Sequence, residues 1–309
     1  MDKIGGSARD PASIAINPYH FEWLPDSNML AFNSHQVFQG PGLELLNDLN
    51  LVDSSTIEVQ NLFLSGWGGE FAFSPDGSQV VISQPNKIIL SNSDGSNYRT
   101  VLTYDTVTTY SEYRYYAVPV WSAENDLLMV AIPPIDPLAG SEQLTELWKI
   151  YTDGSSPTQS GSVAAVPFFE QPVLFSPDLQ RIAFTREVGL PEQNLRELLL
   201  ADNSGNSEWL AAQNGAISFL GWAPSGDRFA YSLGENGESW IGSVFDSPQP
   251  LGTDFFNIQN LSWVTDNQFL FWKQADGAFD IRLSTTEGNS ILLDTSFGEP
   301  PNFSFAIIN

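Results

Sequence analysis

The chain has 309 residues, no cysteine, and 37 acidic against 12 basic side chains, for a formal net charge of −25. The imbalance comes from missing base, because only 16% of residues are charged against about 25% in a typical globular protein. Such a surface repels nucleic-acid phosphates and anionic membranes, the absent cysteines exclude disulfides and thiolate sites, and 13% aromatic residues exclude a disordered chain.

No run of eighteen apolar residues offers a membrane span. Residues 1–17 read as an N-terminal tail in which Ser13–Ile16 is strand-like and suited to closing a blade. From there a template recurs. Trp23-Leu-Pro-Asp-Ser-Asn-Met-Leu-Ala-Phe32 opens it, and Phe73-Ser-Pro-Asp-Gly-Ser-Gln-Val-Val-Ile82 is its clearest copy. Lys87–Ser91 follows as a third strand, Asp94-Gly95 as a second turn, and Arg99–Thr103 as a fourth strand. Trp121–Val130 repeats the first unit, and Leu147–Tyr151 with Asp153-Gly154 repeats the second. Phe175-Ser-Pro-Asp-Leu-Gln-Arg-Ile-Ala-Phe184 is another clear copy, continued by Leu198–Ala201, Asn203-Ser-Gly205 and Glu208–Ala211. Trp222–Tyr231 and the shorter Trp263–Phe271 complete the series, the last with Ile281–Ser284, Glu287-Gly288 and Ser290–Asp294. Phe303–Ile308 is a further strand-like segment.

Each copy reads as strand, tight turn, strand. Proline sets φ, the following Asp or Gly suits the turn, and β-branched and aromatic runs flank it. The Pro-like positions 25, 75, 123, 177, 224 and 265 span 240 residues in five intervals, about 48 each. Four antiparallel strands per repeat of that length is the signature of a propeller blade. Residues 18–309 are therefore expected to form one all-β, six-bladed β-propeller of four-stranded antiparallel blades. The aromatics before each turn are expected to pack between blades rather than to form a site.

The Phe-Ser-Pro-Asp-Gly and Asp-Gly pairing resembles the WD40-like (PD40) repeats of TolB-type six-bladed propellers, over roughly Tyr19 to Asp294. Similar repeats occur in the propellers of prolyl-oligopeptidase-like peptidases. The resemblance implies a non-catalytic, exported scaffold that binds another protein in the bacterial cell envelope or outside the cell. Export would then depend on a signal or lipid-anchor segment upstream of Met1.

In such a blade, the first-to-second and third-to-fourth turns lie on one face of the disc. The remaining connections lie on the other. The tight Pro-Asp-Gly and Asp-Gly turns all fall on the first face. Four long insertions, Asn33–Leu43, Tyr104–Ala117, Pro133–Thr145 and Arg186–Asn194, fall on the second. Long loops on a rigid scaffold are where binding concentrates. The second insertion crowds Tyr110, Tyr113, Arg114, Tyr115 and Tyr116 together with Tyr104. Tyr and Arg favour interface hot spots, so these five are the expected partner-binding residues, Arg114 suiting an acidic group. The competing expectation is that the tyrosines pack the loop onto the disc.

Catalytic patterns are missing. The chain has no Gly-x-Ser-x-Gly nucleophile elbow and no sialidase-type Asp box, so neither enzyme function nor a cofactor is expected. Asp202-Asn-Ser-Gly-Asn-Ser-Glu-Trp209 mimics the start of a calcium loop but lacks its Gly and its final Glu, and is expected to be a hairpin turn. His20 and His35, with a carboxylate such as Glu22, are the weak candidates for a metal. The alternative function is a carbohydrate-binding or carbohydrate-active propeller with its site at the channel mouth. Carboxylates around an open channel pocket would favour it, and an aromatic surface without a pocket would favour protein binding.

Overall fold

The computed structural model describes residues 18–37, 45–110, 114–137, 144–165, 173–189, 195–275 and 277–297. They form six four-stranded antiparallel sheets, each built from four strands consecutive in sequence. Blade one holds β1 (Pro18–Trp23), β2 (Met29–Val37), β3 (Leu45–Asp53) and β4 (Val59–Asn61). Blade two holds β5 (Glu70–Phe73), β6 (Gln79–Gln84), β7 (Lys87–Asn92) and β8 (Arg99–Thr103). Blade three holds β9 (Val120–Trp121), β10 (Leu127–Ile132), β11 (Thr145–Tyr151) and β12 (Thr158–Val163). Blade four holds β13 (Leu174–Phe175), β14 (Arg181–Val188), β15 (Leu195–Asp202) and β16 (Trp209–Asn214). Blade five holds β17 (Ile217–Trp222), β18 (Arg228–Leu233), β19 (Glu238–Ser243) and β20 (Gln249–Pro250). Blade six holds β21 (Gln259–Thr265), β22 (Gln268–Ala275), β23 (Ala278–Thr285) and β24 (Ser290–Phe297).

The chain is thus the six-bladed β-propeller that its repeats predict. Ser13–Ile16 and Phe303–Ile308 lie outside the described residues, and all six sheets have their four strands without them. Helix among the described residues is a single 3-10 turn, Thr253–Phe255.

The template turns work as their chemistry requires. In blade two the Ser74 hydroxyl donates to Asp76 Oδ1 at 2.6 Å and accepts the Gln79 N–H at 2.9 Å. Gly77 sits at φ 69°, a left-handed conformation that glycine adopts without steric cost. Blade four repeats this with Ser176, Asp178 and the Arg181 N–H, and Leu179 takes the left-handed position at φ 55°. The second turns close through Asp94 onto the Ser96 N–H and Asp153 onto the Ser155 N–H. Asp202 accepts the N–H groups of Ser204 and Asn206, both at 3.0 Å, so the segment with calcium-loop spacing is a hairpin turn, as expected.

Apolar side chains pack where neighbouring blades meet. Phe71, Phe73 and Ile82 of blade two cover Leu49 and Leu51 of blade one. Leu128 and Val130 meet Val81 and Leu90 between blades two and three. The fourth and fifth blades pack through Trp222, Phe229 and Tyr231, and the fifth and sixth through Phe255, Phe269 and Phe271. The template tryptophans also hold blades together by hydrogen bonds, because a buried indole N–H needs an acceptor. Trp121 Nε1 donates to Ala72 O at 3.0 Å, Trp222 Nε1 to Leu174 O at 2.9 Å, and Trp263 Nε1 to Gly221 O at 3.2 Å. Each acceptor lies on the first strand of the preceding blade.

Two of the four expected insertions are in part longer strands. β2 runs on to Val37 before β3 resumes at Leu45, and β14 runs to Val188. In blade four the cause is visible. Arg186 stands opposite Glu197 and Glu187 opposite Arg196, and opposite charges facing across a ladder favour continued pairing.

Candidate functional site

On the face of the tight turns, several polar groups join neighbouring blades. The Asp76 N–H donates to Asn125 Oδ1 at 3.1 Å, linking blades two and three, and Arg99 donates to Thr152 O across the same boundary. Arg181 sits 3.4 Å from Asp227 between blades four and five. The Ser225 N–H reaches Asp266 at 2.8 Å and Arg228 reaches Asn267 at 2.6 Å between blades five and six. Hydrogen bonds from Ser74 and Ser78 hold the Asp76 carboxyl below its usual range, and those from Ser96 do the same for Asp94.

The opposite face is built differently. The link from β8 to β9 and the connection from β10 to β11 meet there. The Thr108 N–H donates to Ile135 O at 2.7 Å, and the Tyr110 hydroxyl donates to Asp136 Oδ1 at 2.7 Å. Two of the predicted insertions are therefore one tied unit. Its second half, Pro133-Pro-Ile-Asp-Pro137, carries three prolines in five residues, which fix φ and limit the freedom left to lose on binding. Pro133 and Pro137 are buried, while Ile135 between them is 55% exposed. Tyr110 is 61% exposed and sits at φ 55°, a conformation that costs a bulky L-residue about 1–2 kcal/mol. Its hydrogen bond to Asp136 raises the phenol pKa.

The tyrosines of this link divide between packed and exposed. Tyr104 donates to Gln84 O at 2.6 Å, and burial pushes its hydroxyl up to about 12. Burial pushes Tyr115 up as well, and both rings pack on the core between blades two and three. These two pin the link down. Tyr110 and Arg114 are exposed, Tyr116 is half-buried, and Tyr113 lies outside the described residues. Ile135 was missed by sequence reasoning. An aliphatic residue flanked by prolines in a polar connection was the available signal.

His20 Nε2 lies 3.8 Å from Glu22 Oε2, and its ring packs edge-on against Phe71 at 4.8 Å. Glu22 also accepts the Phe73 N–H at 3.2 Å, so this pair bridges blades one and two. The His35 side chain lies outside the described residues, among which no group of three metal-ligating side chains assembles. Glu70 has its pKa raised by burial, against the opposing charge effect of His20. Arg186 is bound to Glu197 at 3.3 Å and Glu208 at 3.1 Å, and Arg196 to Glu187 at 3.7 Å. An open cleft of about 420 Å³ lies on blade two, lined by Gln79, Leu90, Ser91, Asn92, Asn97, Tyr98 and Arg99. Gln79 lies on β6, residues 90–92 on β7, residues 97–98 on the turn into β8, and Arg99 at its start. No helix among the described residues is long and apolar enough to cross a membrane.

No protein-family model and no curated protein sequence matches the chain. Solved structures do. The β-propeller domain of the Trilobed protease from Pyrococcus furiosus, described as having an open velcro topology, superposes with a TM-score of 0.59 at 11% identity, over 90% of this chain and 85% of that one. An acylaminoacyl peptidase of Pyrococcus horikoshii gives 0.58 at 13%, over 88% of this chain, which spans only 45% of that peptidase. An oligogalacturonate lyase in complex with manganese gives 0.60 at 13%, over 88% and 75%. TolB proteins are also among the neighbours, at TM-scores of 0.45 and 0.47, overlaps too low to carry an argument. At these identities the likeness shows the β-propeller fold alone, and the neighbours include peptidases and a lyase. Function has to be argued from the site.

Proposed function

We propose that the chain is a non-catalytic propeller scaffold that binds another protein through the face bearing its long connections. The resemblance of its repeats to those of TolB-type propellers supports a role in the bacterial cell envelope or outside the cell. The carrying observation is the tied unit of residues 104–110 and 133–137, which holds Tyr110 and Ile135 exposed on a proline-braced, hydrogen-bonded frame. Binding energy concentrates in rigid aromatic and aliphatic anchors of this kind, because little entropy is lost on contact. Arg114 on the same link is exposed and supplies a guanidinium to an acidic group of the partner.

The test is Ile135→Ser, which leaves both tying hydrogen bonds in place. Affinity for the partner recovered from native extract should fall by about 2 kcal/mol, roughly thirtyfold in Kd, with the melting temperature unchanged. Unchanged affinity, or equal loss on substituting Asp94 and Asp153 of the opposite face, would overturn the proposal.

A further inference from the structure

A sheet in a propeller ends in an outer strand whose second edge is unpaired, and such edges invite a further strand unless they are blunted. Five of the six outer strands are shorter than the sixth. β4 has three residues and β20 two, the latter ending in Pro250. β8 has five and begins with Arg99, which is committed to Thr152. β12 is Thr-Gln-Ser-Gly-Ser-Val, with polar groups along its length. β16 has six residues, and its exposed Trp209 and Leu210 give way to small and polar ones.

β24 is the exception. It is eight residues long and carries neither proline nor lysine. Ile291 is 60% exposed, Leu292 50% and Phe297 82%. Ile291 stands opposite Leu283 and Leu292 opposite Arg282, so apolar side chains flank the edge on both faces of the sheet. A register shift between Ile281 and Arg282 twists its middle without shortening it. Among the described residues β24 pairs only with β23.

Charge indicates what would pair there. Asp280, Glu287 and Asp294 lie on this outer hairpin with one cation, Arg282, which is 3.6 Å from Asp280 and donates to Ser290 Oγ at 3.0 Å. The whole chain carries −25, so a second copy would be repelled and a basic segment attracted. We infer that β24 is a strand-addition site for an extended partner segment in which apolar residues alternate with lysine or arginine. Main-chain hydrogen bonds to the open edge would supply affinity. Leu292 and Phe297, which the register puts on one face, would take the alternate apolar side chains, and the basic ones would lie on the face of Asp294.

The probe is an eight-residue peptide of alternating valine and lysine, titrated into the full chain by fluorescence anisotropy. Its analogue N-methylated at alternate residues keeps the charge and side chains but loses the donors of one strand edge. Binding at least tenfold weaker for the analogue, and for the double substitution Ile291→Lys with Leu292→Lys, is the expected result. Equal binding of the two peptides would overturn the inference, since charge alone would then explain it. Binding that appears only after residues 298–309 are removed would also overturn it, because the chain's own end would then hold the edge. So would a self-dimer, seen by sedimentation, that Ile291→Lys with Leu292→Lys abolishes.

Discussion

On the turn face, Asp76, Asp94, Asp153 and Asp202 each fold a carboxylate back onto their own turn, and Asn125, Arg181, Arg228 and Asp266 join one blade to the next. On the opposite face, residues 104–110 and 133–137 are tied to each other, yet they hold Tyr110 and Ile135 out to solvent. Both faces are ordered by hydrogen bonds. What differs is the direction in which the remaining chemistry points. The turn face uses many of its polar groups to close the ring, with Phe245 and Ile57 exposed beside them, and the connection face uses a few bonds to hold Tyr110 and Ile135 out on one braced unit. Substitutions on the first should therefore register mainly as stability, and on the second mainly as binding.

The largest stability effect is expected just before the turn of blade five. Trp222→Ala removes a buried ring packed on Phe229 and the N–H bond to Leu174, and should cost about 3–5 kcal/mol in chemical denaturation. Gly77→Ala is next. It forces a side chain into a left-handed turn with its Cβ 3.2 Å from Pro25 O, and should cost about 1–2 kcal/mol. Loss below a few tenths would show that the turns close the ring less firmly than their bonding indicates.

Glu70 sharpens the comparison through pH. Burial raises its folded pKa above the ordinary 4.5. The stability linked to its protonation is fully present below 4.5 and is lost as pH rises through the folded value. Glu70→Gln should therefore melt higher than wild type at neutral pH, with the difference closing as pH falls below 4.5. A constant difference across that window would contradict the burial effect. The smallest stability effect belongs to Ile135→Ser, within about 0.5 kcal/mol of wild type by thermal unfolding, although it should weaken partner binding the most.

Much of the fold was legible because turn chemistry is local. Ser74, Asp76 and Gly77 close their turn within six residues, and the same types recur at Ser176 and Asp178. Blade number followed from counting those turns. The tryptophan bonds from one blade to the next were less legible, although Trp121, Trp222 and Trp263 stand 49, 48 and 42 residues from their acceptors, close to the repeat length itself. The site was legible in part. Loop length marked the connections that the structure ties together, but not which side chains turn inward. Tyr104 and Tyr115 have the same composition signal as Tyr110, and only the packing of blades two and three separates them. Ile135 was hidden because one aliphatic residue in a loop is ordinary. Its exposure has meaning only beside Pro133, Pro137 and Tyr110.

The most direct test of the division between faces is site-specific photocrosslinking. A benzophenone side chain is placed at position 135 in one protein and at position 94 in another, and each is irradiated in native extract. A discrete crosslinked partner is expected from position 135 and none from position 94. A partner captured from position 94 and not from 135 would contradict it.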